Sequence, residues 1–321
     1  MNLLITGISG YLGQGIVRLL AQENPFSSIV GIDRRSPRML GPAQFIAADC
    51  LSVDLGDLLV MNGIDVVLHL AAAPEKERSS TNQVMLERLI KAAESAGVTR
   101  LVIPSRDRVY ERSDAPCAET SALGTLANTP DLDHQVREER SIEAMLARFK
   151  STNGMRVVIP RLSTVIGAST HRRIDLVLGS RWLFVSRGME GRRIQFLGIR
   201  DASQALINCA SMPDLNGPYN IGAAEPLALE VVAGILESKL VRLPATVFRL
   251  VVKGLRVVGL LECGPTSFTR LALATPMVTE KADGLMGSSR LSSRQALACW
   301  RVERRGLSGV GSALEGFEEH R

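Results

Sequence analysis

Three glycines near the start of the chain have the spacing of a phosphate-binding turn. Gly7, Gly10 and Gly13 follow the apolar run Leu3–Ile5, and an apolar helical pattern begins directly after them. Glycines let the backbone turn tightly and approach a pyrophosphate, and the N-terminus of a helix offers N–H groups and the positive end of its dipole. The stretch therefore predicts a dinucleotide phosphate site.

An acidic residue follows the glycines at the distance that such a site requires. Asp33 ends a second apolar run, Ile29–Ile32, about twenty residues further on. A carboxylate at this position accepts hydrogen bonds from ribose hydroxyls, which favours NAD(H). Arg34 and Arg35 come next and are able to pair with a 2′-phosphate, so NADP remains the alternative.

The first half of the chain alternates between apolar runs and helical patterns. The runs are continuous rather than interleaved with polar residues, which is typical of parallel strands covered on both faces. We predict strands at 2–6, 28–32, 45–49, 64–70, 101–103 and 155–162, and helices at 11–22, 53–61, 82–96 and 133–149. This order predicts an α/β fold of the Rossmann type with a doubly wound parallel sheet.

The second half is less regular and predicts a smaller C-terminal cap that binds substrate. We assign residues 1–165 to an NAD(P)-binding domain, with 201–222 returning to its sheet, and residues 166–200 and 223–321 to the cap. Residues 227–261 have a largely helical pattern.

Composition limits the range of functions. The net charge, 38 − 33 = +5 over 321 residues, is mild, and 4% aromatic residues are too few for a nucleic-acid stacking platform. No cysteine lies in a CxxC pair, which indicates reduced thiols, and we predict no metal site. We find neither a signal peptide nor a long uncharged apolar run, so we expect a cytoplasmic protein without a membrane span.

One apolar stretch carries a regular basic stripe. Residues 243–261 are interrupted by Arg249, Lys253 and Arg256, which recur at helical spacing. A helix with such a stripe lies on a membrane or a partner. Alternatively, the basic residues are the snorkelling edge of a packed helix, and the sequence leaves both interpretations open.

Further motifs occur in a fixed order: TGISGYLG at 6–13, HLAA at 69–72, RLSTVIG at 161–167 and GPYNIG at 217–222. Together they resemble the extended short-chain dehydrogenase/reductase family, which includes nucleotide-sugar epimerases and dehydratases. The resemblance covers roughly residues 1–300 and implies an enzyme that uses NAD(H) on a small organic substrate. The cofactor-binding residues that it implies, together with the glycine pattern, are Gly7, Gly10, Tyr11, Leu12, Gly13, Asp33, Arg34, Asp49, Cys50, Leu70, Ala71 and Ala72.

The usual catalytic residues of that family do not carry over. The family has a Ser or Thr four residues before the Tyr of a VY pair. Here Val109-Tyr110 matches the pair, and the earlier position is Arg106. The neighbouring Ser105 is one residue early, and strand alternation predicts that it points to the opposite face.

The family's next helix carries Tyr-x-x-x-Lys, in which the lysine lowers the pKa of the tyrosine. No tyrosine or lysine occurs between residues 113 and 149, and Gln135 and Glu139 fall in the two positions. A glutamate cannot replace the lysine, because its negative charge raises the pKa of a neighbouring acid.

Tyr110, His134 and Arg106 are the candidate replacements. Tyr110 is a possible proton donor, and the imidazole of His134 suits acid–base chemistry near neutral pH. Arg106 would bind a substrate carboxylate or stabilise an oxyanion, or else close the site through a salt bridge to Asp107 or Glu139. His69 ends a buried strand, and we interpret it as structural.

Three functions remain open on this evidence. The first is redox chemistry at a carbonyl or alcohol with NAD(H). The second is a non-redox isomerase, cyclase or lyase on the same fold, and the third is a catalytically silent NAD-binding subunit or sensor.

A basic cluster falls where the family holds the substrate diphosphate. This position favours an anionic substrate, and a solvated basic face is the alternative. Its members are Arg172, Arg173, Arg187, Arg192 and Arg193. The resemblance also suggests a homodimer through helices near 82–96 and 133–149.

Overall fold

The computed structural model describes residues 1–73, 81–111, 113, 115–124, 134–167, 172–187, 191–261, 268, 271 and 273–304. For residues 134, 135, 172, 173 and 245, the backbone is described and the side chain is not.

Strands and helices alternate through the first half of the chain. The strands are β1 (Asn2–Thr6), β2 (Ser28–Asp33), β3 (Gln44–Ala47), β4 (Val66–His69), β5 (Arg100–Val102), β6 (Ser105–Arg106), β7 (Arg156–Leu162), β8 (Thr164–Ile166), β9 (Trp182–Ser186), β10 (Arg193–Ile194), β11 (Phe196–Gly198), β12 (Gly217–Ile221), β13 (Leu227–Ala228) and β14 (Lys239–Leu243). The helices are α1 (Tyr11–Leu20), α2 (Leu55–Met61), α3 (Thr81–Ser95), α4 (His134–Arg148), α5 (Arg172–Leu178), α6 (Ile199–Ser211), α7 (Leu229–Leu236), α8 (Ala245–Val257), α9 (Glu280–Met286) and α10 (Ser293–Arg304).

A parallel sheet forms the centre of the fold, in the order β3-β2-β1-β4-β5-β7-β12, with the short β6 also pairing with β7. The chain runs outward from β1 to β3 on one side and from β4 onward on the other. The predicted Rossmann-type, doubly wound sheet is confirmed.

Helices cover both faces of this sheet, and β1 shows why. Its residues Leu3, Leu4 and Ile5 are all fully buried. Leu3 and Ile5 belong to the core that includes side chains of α1 and α6, whereas Leu4 belongs to the core that includes side chains of α2 and α3. Alternate residues of one strand therefore serve two helical layers, which explains the uninterrupted apolar runs in the sequence.

A further hydrophobic core lies in the C-terminal half. It contains side chains of β9, α7, α8 and α10, and aromatic rings such as Phe184 and Phe268 meet edge to face within it. Beside it, β9 and β14 pair in parallel. The largely helical pattern predicted for 227–261 is therefore wrong at Lys239–Leu243, where pairing with β9 overrides the local helical spacing. The assignment of a separate cap remains a prediction.

Candidate cofactor and substrate site

A cavity of about 420 Å³ opens at the carboxyl ends of the central strands. Its walls come from the turn after β1, the end of β2, the residues after β4 and β5, and one side of α4. The neighbours β1 and β4 are where the strand order reverses, which is the usual ligand position in such sheets. Every residue that the sequence predicts for the cofactor lines this one cavity: Gly7, Gly10, Tyr11, Leu12, Gly13, Asp33, Arg34, Asp49, Cys50, Leu70, Ala71 and Ala72. Their role as cofactor ligands remains a prediction.

The glycine turn has room for nothing larger than glycine at two positions. Gly7 has φ +71°, and a Cβ there would lie 2.6 Å from the backbone nitrogen of Ala71. A Cβ on Gly13 would lie 2.4 Å from the carbonyl oxygen of Ile8. The turn thus packs directly on the end of β4 and leaves the first N–H groups of α1 at the cavity, as a pyrophosphate requires.

Asp33 is fixed at the end of β2 by the backbone around it. Its carboxylate accepts hydrogen bonds from the backbone N–H groups of Ser9, at 3.0 Å, and Arg35, at 3.3 Å. Arg34 extends toward Asp49, with 3.9 Å between Nη1 and Oδ2. Two carboxylates at this end of the cavity suit ribose and adenine donors better than a 2′-phosphate, because the nearest guanidinium already faces an acid.

Cys50 offers no nucleophile at this end of the cavity. Burial, reinforced by the charges of Asp49 and Asp33, raises the pKa of the Cys50 thiol to about 11. A thiol with so high a pKa stays protonated at neutral pH, and the thiolate is the reactive form. Its contribution to the cavity is therefore one of shape.

Arg106 contacts the glycine turn from the opposite end of the cavity. Its Nη2 donates a hydrogen bond to the phenolic oxygen of Tyr11 at 2.6 Å. Burial opposes the charge of Arg106, but Tyr11, Glu139 and Asp107 outweigh it and raise the pKa of the guanidinium. From the sequence, Asp107 and Glu139 were the expected partners of Arg106, and Tyr11 was not among them.

Glu139 forms its ion pair with a different arginine. Its Oε1 lies 2.8 Å from Nη2 of Arg108, and both side chains are largely buried. Glu139 lines the cavity and interacts with the charge of Arg106, so a carboxylate lies between two guanidinium groups. That it replaces the lysine of the resembled family remains a prediction from the sequence. Ser105 also lines the cavity, although strand alternation predicted the other face; β6 is only two residues long and imposes no extended alternation.

Asn82 connects the end of β4 to α4. Its Oδ1 accepts from the backbone N–H of Ala73 at 2.7 Å, and its Nδ2 donates to Oε2 of Glu138 at 2.7 Å. Asn82 lies where the predicted helix 82–96 begins, and Glu138 lies near the start of the predicted helix 133–149. Nothing in the sequence indicates that these two side chains meet.

Tyr110 does not line the cavity. It is 1% exposed, and its hydroxyl donates to Oδ1 of Asn220 at 2.5 Å and accepts from Nη1 of Arg161 at 2.9 Å. Arg161 also makes a bidentate pair with Glu143, at 3.0 and 2.7 Å. These contacts fix Tyr110 inside a buried network that joins β7, β12 and α4.

The histidines occupy two different situations. His69 lies at the end of β4 with Nδ1 2.8 Å from Oγ1 of Thr6, and burial lowers its pKa to about 4. Its imidazole is therefore neutral at neutral pH, and its hydrogen bond with Thr6 connects β4 to β1. His134 begins α4, but its side chain lies outside the described residues, so its proposed chemistry stays a prediction.

The basic cluster does not form a single exposed face where it is described. Arg187 and Arg193 are exposed, whereas Arg192 is 8% exposed. The side chains of Arg172 and Arg173 lie outside the described residues. Within the described residues, no helix has the length and hydropathy to cross a membrane, and no group of three metal-ligating side chains occurs.

The sequence profile of the NAD-dependent epimerase/dehydratase family matches residues 3–222. The chain belongs to this family. The predicted resemblance and the predicted NAD-dependent enzyme class are thereby confirmed.

A curated relative and two solved structures are similar to this chain. An uncharacterized UDP-glucose epimerase of Bacillus subtilis is 26% identical over 268 residues, which is 74% of this chain and 81% of that protein. The structure of MoeE5 in complex with UDP-glucose and NAD has a TM-score of 0.69 at 24% identity, covering 96% of this chain and 100% of that one. UDP-glucuronic acid 4-epimerase from Bacillus cereus, in complex with UDP-glucuronic acid and NAD, has a TM-score of 0.70 at 20% identity, with the same coverage. These structures show the shared fold.

Proposed function

We propose that this protein is an NAD(H)-binding enzyme of the epimerase/dehydratase type that acts on a nucleotide sugar or a similar anionic small molecule. The observation that carries the proposal is one continuous cavity, which extends from Asp33 and Asp49 past the glycine turn to Arg106. Its relatives with UDP-sugars and NAD bound have the same fold. The donor set and the space at the turn fit a dinucleotide.

The cofactor would be held along the carboxyl edge of the sheet. Gly7, Gly10 and Gly13 would receive the pyrophosphate on the N-terminus of α1, and Asp33 would accept hydrogen bonds from the adenosine ribose. When bound, the nicotinamide supplies hydride transfer. The protein's own task is to orient a substrate beside it and to control the substrate's proton and charge.

Arg106 is the residue that we propose for that task. Its guanidinium is held at the substrate end of the cavity by Tyr11, and a fixed cation there would stabilise negative charge on a substrate oxygen. The contacts of Tyr110 support a positioning role, since its hydroxyl engages Arg161 and Asn220 rather than the cavity. His134 stays a candidate acid–base group at the start of α4.

A catalytically silent NAD-binding protein is the second candidate. The observation that favours it is again Arg106, because its guanidinium is held 2.6 Å from Tyr11 and the sequence predicts that this residue replaces the catalytic hydroxyl of the resembled family. A non-redox isomerase, cyclase or lyase on the same fold is the third. All three use the same cavity, so binding and hydride transfer must be measured separately.

Two measurements distinguish these candidates. Calorimetric titration with NADH and NADPH tests the cofactor, and we expect NADH to bind more tightly. Incubation of a panel of UDP-4-keto-sugars with NADH deuterated at both C4 positions then tests hydride transfer, because the deuteride would reduce the ketone to a labelled alcohol and leave NAD⁺; we expect label in the sugar product. NADH binding without label transfer or any product supports the silent protein, whereas unlabelled product supports the non-redox enzyme. Failure of both cofactors to bind refutes the proposal.

A homodimer through α3 and α4 is a further element of the proposal. These helices pack on each other, and Val84 on α3 is 46% exposed. An exposed apolar side chain on this helix is compatible with a partner copy. Light scattering on the wild type and on Val84→Glu tests it, and a monomeric wild type excludes the dimer.

A further inference from the structure

The C-terminal half contains a helix with an unusual outer surface. One side of α8 is anchored in the protein, since Phe248 is 3% exposed and Val252 is fully buried in the core with β9 and α7. Val251 and Leu255 pack partly against the same core. One side of α8 is therefore anchored to the core, and the other side faces outward.

Part of that outward surface is apolar. Leu250 is 73% exposed and Val257 is 86% exposed, and just beyond the helix Val258 and Leu260 are 67% and 59% exposed. Single exposed apolar residues are ordinary, but several on one short segment mark an interaction site. Leu250 and Val257 are separated by two helical turns and lie on the same side of α8.

The adjoining strip of the same helix is cationic. Arg249, Lys253 and Arg256 are all exposed and follow at intervals of four and three residues. The sequence from Ser238 to Leu261 contains no Asp or Glu. We call this combined surface the α8 patch, which consists of Leu250, Val257, Val258 and Leu260 together with Arg249, Lys253 and Arg256.

We propose that the α8 patch docks on an anionic lipid surface, with α8 lying in the plane of the membrane. Interfacial helices place apolar side chains at the headgroup–acyl boundary and adjacent Lys and Arg side chains among acidic headgroups. Protein interfaces, by contrast, are depleted in charged residues at their centre; arginine is enriched there but lysine is depleted, so Lys253 is the member of the patch that argues against a protein partner. Such docking requires no span, in agreement with the absence of a membrane-crossing helix among the described residues.

This docking is independent of the proposed enzymatic function, because no residue of the α8 patch lines the cavity. The test uses the full chain and sucrose-loaded vesicles, either of phosphatidylcholine alone or of phosphatidylcholine mixed with phosphatidylglycerol. We expect cosedimentation with the anionic vesicles only, and we expect it to weaken as salt is added. NADH titration on the same samples reports whether the cavity is intact.

Two variants separate charge from apolar insertion. Arg249→Gln/Lys253→Gln/Arg256→Gln should weaken binding to anionic vesicles roughly a hundredfold, since each basic residue near such a surface contributes about fivefold. Leu250→Ser/Val257→Ser keeps the charges and should weaken binding about tenfold or more. The matched control is Arg18→Gln/Lys91→Gln/Lys150→Gln, which removes exposed charges elsewhere and should retain most of the binding.

Several outcomes overturn the proposal. Absence of cosedimentation with anionic vesicles does so, as does an equal loss in the basic-patch and control variants. A concentration-dependent dimer in light scattering that Leu250→Ser/Val257→Ser abolishes, without vesicle binding, assigns the patch to a second copy of the chain instead. Circular dichroism melts of each variant establish that the exposed substitutions leave the protein folded.

Discussion

The guanidinium of Arg106 donates a hydrogen bond to the phenolic oxygen of Tyr11 at 2.6 Å. This contact joins Arg106, at the end of β6, to Tyr11, the first residue of α1, which we propose receives the pyrophosphate. Two side chains that lie 95 positions apart in the sequence therefore connect the glycine turn to the strand end on the other side of the cavity.

The Tyr11–Arg106 contact should appear as a coupling free energy. A hydrogen bond to a charged group contributes about 1.5–3 kcal/mol. We expect Tyr11→Phe and Arg106→Met each to lower the free energy of unfolding, and the double variant to lose clearly less than the sum of the two. Urea denaturation of the four proteins in the cycle measures this. Strict additivity would mean that the contact contributes nothing.

The pair between Arg161 and Glu143 should be among the strongest single contributions to stability. Their side chains are 5% and 2% exposed, and the pair is bidentate. Removing one partner leaves a buried charge, so Glu143→Gln and Arg161→Met should each cost about 3–5 kcal/mol. Glu230→Gln is the control, because its pair with Arg242 is exposed and should cost less than about 1 kcal/mol. Chemical denaturation compares them, and similar losses in both pairs would contradict the expectation.

His69 should make the protein less stable in acid. Burial lowers its pKa from 6.5 to about 4, so between these values the unfolded state binds a proton that the folded state does not. Stability is consequently lost as pH falls from about 6.5 to about 4, by at most about 3 kcal/mol. His69→Asn keeps an amide beside Thr6 and removes the titration. Unfolding free energies measured across this range should decline in the wild type relative to the variant, and parallel curves would exclude the assignment.

Asp107 should make the protein less stable as the pH rises. It is 3% exposed, and burial raises its pKa from 3.8 to about 7 despite the neighbouring charges of Arg108 and Arg106. Between about pH 4 and pH 7 the folded state holds a proton that the unfolded state has released, so stability falls as the pH rises. Asp107→Asn removes this pH dependence. Its free energy of unfolding relative to the wild type should therefore rise by up to about 4 kcal/mol between pH 4 and pH 8. A constant difference across that range would show that Asp107 titrates normally.

The sequence predicted the parts of the site that depend on local geometry. Gly7, Gly13 and Asp33 are recognisable because a tight turn and a strand end impose requirements on individual positions. The partner of Arg106 was missed, because Tyr11 had been assigned only to the cofactor and nothing local connects the two. Glu143 and Arg161 likewise meet through tertiary packing. The strand β14 was missed for the same reason, because its pairing with β9 is a tertiary contact that the spacing of its own residues does not indicate.

Gly13 and Gly284 offer a matched pair for testing the phosphate turn. Both are helical glycines, but a Cβ on Gly13 would lie 2.4 Å from the backbone oxygen of Ile8, whereas a Cβ on Gly284 would meet no atom within 4 Å. Gly284→Ala should stabilise the protein by about 0.5–1 kcal/mol, because alanine loses less backbone entropy in a helix. Gly13→Ala must displace the backbone of the turn, since no side chain is available to move aside.

The displaced turn should bind NADH much more weakly, by tenfold or more, while Gly284→Ala binds it as the wild type does. The reason is that the N–H groups of the first turn of α1 are rigidly aimed only while the turn packs against the end of β4. Calorimetric titration of the three folded proteins with NADH measures the effect, with melting curves recorded in parallel. Undiminished affinity in a folded Gly13→Ala would show that the dinucleotide does not rest on this turn, and the assignment of the cavity would have to be abandoned.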